Sequence, residues 1–237
     1  MSGFIDHRSR SQDLFNAMGS MYAATLFLGV QNSSSVQPVV AVERTVFCRE
    51  RAARMYSAIP YAFGQVVIEI PYVFVQAAFY GIIVYAMIGF EWTTAKFFWY
   101  FFIMYFTLLY FTFYSMMTMA VTPNQNVASI VAAFFYAVWN LLSGFIDARP
   151  KQHIPIRWRW YYWACPVAWT LYGLVASQFG DLQNKLSDDE NVQQFLGRYF
   201  GFEHDFLGVV AAIIVAWPVI FAFMFALAIK AFNFQKR

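Results

Sequence analysis

Long uncharged stretches alternate with short charged ones along this chain, and the lengths of those stretches predict its elements. An α-helix rises about 1.5 Å per residue, so roughly 20 apolar residues cover the ~30 Å hydrocarbon core of a bilayer. Five stretches meet that requirement: 14–42, 55–90, 97–121, 127–146 and 206–229. The first is the least regular, because Gln31, Asn32, Ser33, Ser34, Ser35, Gln37 and Pro38 crowd its second half. The second exceeds a bilayer, so its first turns should project beyond the core. It carries a single charged residue, Glu69, two positions before Pro71. Thr122, Pro123 and Asn124 break the third from the fourth.

A sixth uncharged run, 160–180, is dense in Trp160, Tyr161, Tyr162, Trp163, Trp169 and Tyr172. Such residues favour the headgroup interface, and Pro166 interrupts the middle of the run. It therefore predicts a re-entrant or interfacial element over 158–180, with protein covering its irregular backbone. The fold class that follows is an all-α membrane protein: a polytopic bundle of five transmembrane helices plus a re-entrant or interfacial aromatic element.

Charge orients this bundle. Arg44, Arg49, Arg51 and Arg54 place the loop 43–54 in the cytosol, and Lys230, Lys236 and Arg237 place the tail 230–237 there too. Residues 1–13 then form an extracellular stub, and 147–205 an external loop that holds the 158–180 segment. The later part of that loop is acidic (Asp181, Asp188, Asp189, Glu190, Glu203, Asp205) and reads as solvated. A first span that enters from outside predicts a helix ahead of it, as in a truncated chain. The pentapeptide Ser-Gly-Phe-Ile-Asp at 2–6 recurs at 143–147 with no similarity around it, so it marks no repeat.

Composition narrows the function. The 237 residues are 60% apolar, 22% aromatic and 12% charged, with a mean hydropathy of +0.49. Soluble domains run about 25% charged, so disorder, nucleic-acid binding and a cytosolic globule are excluded. Cys48, Cys165, His7, His153 and His204 lie at no metal-binding spacing. No Gly-rich phosphate loop with its Lys and hydroxyl residue, no nucleophile elbow and no paired catalytic carboxylates are present. With no catalytic and no metal site, the remaining roles are passage, gating, anchoring or signalling, with energy supplied from elsewhere.

Three features are candidates for such a role. The 43–54 loop mixes both charge signs with apolar residues, as a surface helix that docks a cytosolic partner would, although arginines there also serve as topological anchors. Glu69 is an intramembrane carboxylate, read as a structural or hinge group ahead of direct proton or substrate handling. On the fourth span Ala133, Tyr136, Asn140, Ser143 and Gly144 recur at helical spacing, a small and polar stripe that faces protein or a cavity.

The residues also carry a resemblance. Ser11-Gln12-Asp13-Leu14-Phe15-Asn16-Ala17-Met18-Gly19-Ser20-Met21-Tyr22, Glu43-Arg44, Arg49-Glu50-Arg51-Ala52-Ala53, Glu69-Ile70-Pro71-Tyr72, Trp139-Asn140-Leu141 and Cys165-Pro166-Val167-Ala168-Trp169-Thr170 closely resemble plant pleiotropic-drug-resistance transporters, full-size G-subfamily ABC transporters. The likeness runs over nearly the whole chain from Ser9. It implies most of the second, C-terminal membrane domain, with the five spans as family helices two to six. It further implies a coupling element that docks the cassette through Glu43, Arg44, Arg49, Glu50 and Arg51. A substrate cavity at Gln31, Asn32, Tyr136 and Asn140 and a hydrophobic plug at Phe145 and Ile146 follow from the same likeness.

Where the family usually has glycine this chain has Arg54, and Cys48 stands where an aromatic is usual. The implied activity is ATP-driven export of hydrophobic or amphipathic small molecules, and the likeness also implies a plasma-membrane location. ATP and Mg would be held by nucleotide-binding domains outside this chain; the partners would be those domains, the other transmembrane half, lipid and substrate. The alternative is a truncated, non-transporting membrane protein that scaffolds or dimerises with intact transporters. A channel is less well supported, since it needs a continuous polar path.

Overall fold

The structure, a computed structural model, describes residues 7–89, 93–141, 143, 159–180, 185–187, 190–202 and 204–232. These residues form α1 (His7–Ala52), α2 (Ala58–Ile88), α3 (Thr94–Val121), α4 (Gln125–Leu141), α5 (Arg159–Trp163), α6 (Pro166–Phe179), α7 (Val192–Tyr199) and α8 (Leu207–Ala231). Strands β1 (Lys185–Ser187) and β2 (Glu190–Asn191) pair as a small antiparallel ladder ahead of α7. The chain is a helical membrane protein, and among the described residues α2, α3 and α8 are long and apolar enough to cross a bilayer.

The bundle is built around α3, which packs against α1, α2, α4, α6 and α8. Of its spanning stretch 61% is buried, against 17% for α2 and 28% for α8. Bulky side chains such as Tyr100, Met104, Leu108 and Met116 are enclosed. Some of its hydroxyls bond within the helix, Thr112 donating to the Leu108 carbonyl at 2.9 Å and Thr118 to that of Ser115 at 2.8 Å, while others, such as Ser115 and Thr107, bond to the helices packed around it. Lipid offers no such partners, so a helix polar enough to need them is stable at the centre. The outward side of α2 shows the converse: Phe63, Val67, Phe74, Phe79, Ile83 and Met87 are exposed, an apolar surface suited to lipid tails or to another membrane helix.

The polar stretch that made the first predicted span irregular lies inside one continuous helix of 46 residues, α1. At about 1.5 Å per residue it is about 69 Å long, more than twice the hydrocarbon thickness. The helix does not stop at Val42 to make way for a separate surface element. It runs on through Glu43, Arg44 and Arg49 to Ala52. The aromatic run forms two helices broken at Ala164 and Cys165, with Pro166 in the first turn of α6, where its missing N–H costs no hydrogen bond. Helix α6 has 14 residues, about 21 Å, which is shorter than the hydrocarbon core. Apart from Tyr172 it is buried throughout. Thr170 bonds there to Thr107 at 3.0 Å and to Tyr110 at 3.1 Å.

Where α1 ends, the amide of Met55 bonds the Glu50 carbonyl at 3.1 Å and the amide of Arg54 bonds that of Arg51 at 3.0 Å. These paired bonds are a Schellman closure, whose penultimate residue must adopt the left-handed conformation. Arg54 does so at φ 59°, the one non-glycine with positive φ among the described residues. A side chain there costs about 1–2 kcal/mol, which explains physically why glycine suits this position. Arg54→Gly is therefore expected to raise stability by about 1 kcal/mol, read as a higher melting temperature in detergent. An unchanged or lower value would show that the side chain's own contacts outweigh the backbone strain.

Candidate functional site

A polar seam joins α1 to α3 and α4. Asn32 donates to the Thr112 hydroxyl at 2.6 Å, Ser115 donates to the Ser33 carbonyl at 2.8 Å, and the Ser33 and Tyr136 hydroxyls share a hydrogen bond. Farther along, Ser129 donates to Gln37 Oε1 at 2.6 Å, and the Tyr22 hydroxyl to Asn140 Oδ1 at 3.3 Å. Helices in lipid have no hydrophobic force between them, so such bonds and close packing hold them in register. Gly29 provides the closest approach: a Cβ there would lie 2.5 Å from the ring of Phe111.

The four candidate cavity residues are distributed over this seam. Gln31 faces outward from α1, and Asn140 is exposed on α4. Tyr136 is half-buried and turned back onto Ser33. Asn32 opens onto a different space, a cavity of about 890 Å³ between α1 and α2. Glu43 and Glu69 both line that cavity, although 26 positions separate them in the sequence. Phe145 and Ile146 lie outside the described residues.

The basic end of α1 ties three helices together. Arg44 donates to the Thr122 carbonyl at 2.7 Å and the Pro123 carbonyl at 2.9 Å, and also to that of Met119. These carbonyls end α3, where the helix dipole favours a cation. Burial lowers the pKa of Arg44 from its usual value, but a guanidinium stays charged in proteins. Arg51 donates to the Ile229 carbonyl near the end of α8 at 3.2 Å and lies 6.0 Å above the Phe47 ring. Phe47 in turn stacks on Tyr61 of α2 at 4.2 Å. Glu50 accepts from the Tyr56 hydroxyl, and that bond raises the pKa of the phenol. Arg49 remains exposed.

Residue spacing alone missed Ser33, Gln37, Thr112, Ser115 and Ser129, which carry most of the seam. Their recurrence at helical intervals was visible, but small hydroxyls occur on so many membrane helices that the pattern selects no partner.

Comparison with known proteins bears on what this bundle is. The family model of the ABC-2 type transporter matches residues 1–179. Pleiotropic drug resistance protein 1 of Nicotiana tabacum is 80% identical over 229 residues, 97% of this chain and 16% of the relative. ABC transporter G family member 36 of Oryza sativa subsp. indica is 68% identical over 229 residues, and G family member 53 of Oryza sativa subsp. japonica 66% over 230, each again covering 97% of this chain and 16% of the relative. The chain thus spans about one sixth of the length of these relatives. This match establishes that the chain belongs to the ABC-2 type transporter family, as a transmembrane-domain sequence of the plant pleiotropic-drug-resistance, G-family kind.

Proposed function

We propose that this chain is part of the membrane domain of an ATP-driven exporter of hydrophobic or amphipathic small molecules, with nucleotide-binding domains outside the 237 residues holding ATP and Mg. The observation that carries this reading is the mechanical continuity of α1. One helix joins the basic 43–52 end to the polar seam, its helical run continuous through Pro38, which removes a single backbone hydrogen bond on the way. At that end Arg44 grips α3 and Arg51 grips α8. A cassette that closes against the 43–54 segment from the cytosol would push α1, α3 and α8 as one body.

The exposed stripe of α1 (Ala23, Phe27, Gln31, Ser34) and that of α4 (Ile130, Ala133, Phe134, Asn140) supply a mostly apolar wall toward a second transmembrane half. Such a wall suits greasy substrates, and its two amides orient them. In the complete transporter, reconstituted in proteoliposomes, ATP should drive uptake of hydrophobic dyes, and Asn140→Leu should shift the relative rates among dyes about tenfold by removing one hydrogen-bonding group. ATP-independent uptake would overturn the export reading; identical dye selectivity would remove Asn140 from the wall.

A further inference from the structure

We propose that the groove between α1 and α2 binds elongated organic cations that enter sideways from the bilayer. On α1, Asn32, Val36, Val39 and Glu43 line the groove. On α2, Gln65, Glu69, Tyr72 and Gln76 line it. Each set follows the same spacing of four, three and four residues, which keeps it on a single helix face. The short connection between the helices makes them an antiparallel hairpin, so Glu43 lies toward the Glu69 end, and both line the same space. Tyr80 of α2 donates to the Ala24 carbonyl of α1 at 3.2 Å, which puts Asn32 toward the Gln76 end.

Three properties of the groove define its ligand. Its 890 Å³ opening is flanked by the exposed side chains Val39, Ile68, Tyr72 and Val75, so a molecule dissolved in lipid reaches it directly. One of its carboxylates lacks compensation: Glu43 Oε2 is buried with no hydrogen-bond partner among the described residues, and no lysine or arginine lines the cavity. Burying such charge in an apolar setting is costly, and a cation recovers that cost. Its two ends differ, carboxylates at one and the amides of Asn32 and Gln76 at the other, with valines between. Eleven residues of helix separate Asn32 from Glu43, about 16 Å. The fitting molecule is therefore a rod of about that length with an ammonium at one end. Phosphate-bearing lipids and anionic compounds meet repulsion instead.

This inference deepens the export reading by naming a substrate class, yet its test needs no transport. The complete transporter is placed in nanodiscs of phosphatidylcholine, which carry no net charge to collect cations. Trimethylammonium-diphenylhexatriene is titrated without ATP, and saturable energy transfer from tryptophan is recorded; uncharged diphenylhexatriene, the same rod without the cation, is the control. The charged probe should show a saturable component that the neutral probe lacks. Glu43→Gln combined with Glu69→Gln should weaken that component about tenfold or more. Val39→Trp, which fills the groove from an exposed position and keeps both charges, should abolish it. Equal saturable binding of the two probes, or binding in Val39→Trp equal to the parent, would overturn the site. A protein that binds the cation but exports nothing would sink the export reading alone, and one that exports while binding no probe would sink the groove alone.

Discussion

Replacing Arg44 with methionine in the complete transporter should destabilise the membrane domain by about 3 kcal/mol and uncouple ATP hydrolysis from transport. Met119, Thr122 and Pro123 would lose their donor together, and the end of α3 would lose the cation that complements its dipole. Methionine keeps the length and apolar contact of the stem, so the loss isolates the hydrogen bonds. Lysine should rescue only part of it, because one ammonium nitrogen cannot span three carbonyls as a planar fork does. Thermal melting in detergent measures the first effect, and the ratio of transport to hydrolysis the second. Parental values of both in Arg44→Met would leave α1 and α3 without a mechanical link at this end.

Gly29→Ala should be the most damaging of the conservative changes in the bundle. Alanine ordinarily favours a helix over glycine by about 1 kcal/mol, so the open-space expectation is a gain. Here the added carbon would fall 2.5 Å from Phe111 Cδ2 and 2.8 Å from Cε2. That ring has little room to retreat, with Tyr110 at 4.9 Å and Tyr136 at 5.2 Å between centroids. Overpacking of this kind costs about 1–3 kcal/mol, and pushing α1 away from α3 also strains the Asn32–Thr112 and Ser115–Ser33 bonds. Gly81→Ala is the internal comparison: its new carbon meets the methyl end of Met104 at 2.8 Å, and a thioether chain can swing aside. The first variant should lose melting temperature and purified yield while the second keeps both. The reverse order would mean that Phe111, and not Met104, is the side chain free to move.

Residency in the membrane was legible from uncharged run lengths, because the requirement is local: each helix must satisfy its own backbone and present apolar side chains to lipid. The likeness to the transporter family was legible from contiguous motifs such as Cys165-Pro166-Val167-Ala168-Trp169-Thr170. Arg54 at the family's glycine position was visible too, but only the paired bonds from Met55 and Arg54 show why glycine belongs there. The candidate site was less readable. Gln31, Asn32, Tyr136 and Asn140 are placed in one group by resemblance, yet Asn32 borders the α1–α2 groove while Tyr136 and Asn140 sit on α4.

The difference has a physical origin. Periodicity of 3.6 residues tells which side chains share a face, and charge tells which ends stay wet, so sequence determined that this is a lipid-embedded helical protein with a basic end on its first helix. Neither property states how far a helix is rotated against its neighbours. That rotation, set by small residues such as Gly29 and by hydroxyl bonds across helices, was decided only in the tertiary structure. It placed Ser33 against Tyr136, Arg44 over the end of α3, and Glu43 in the same cavity as Glu69.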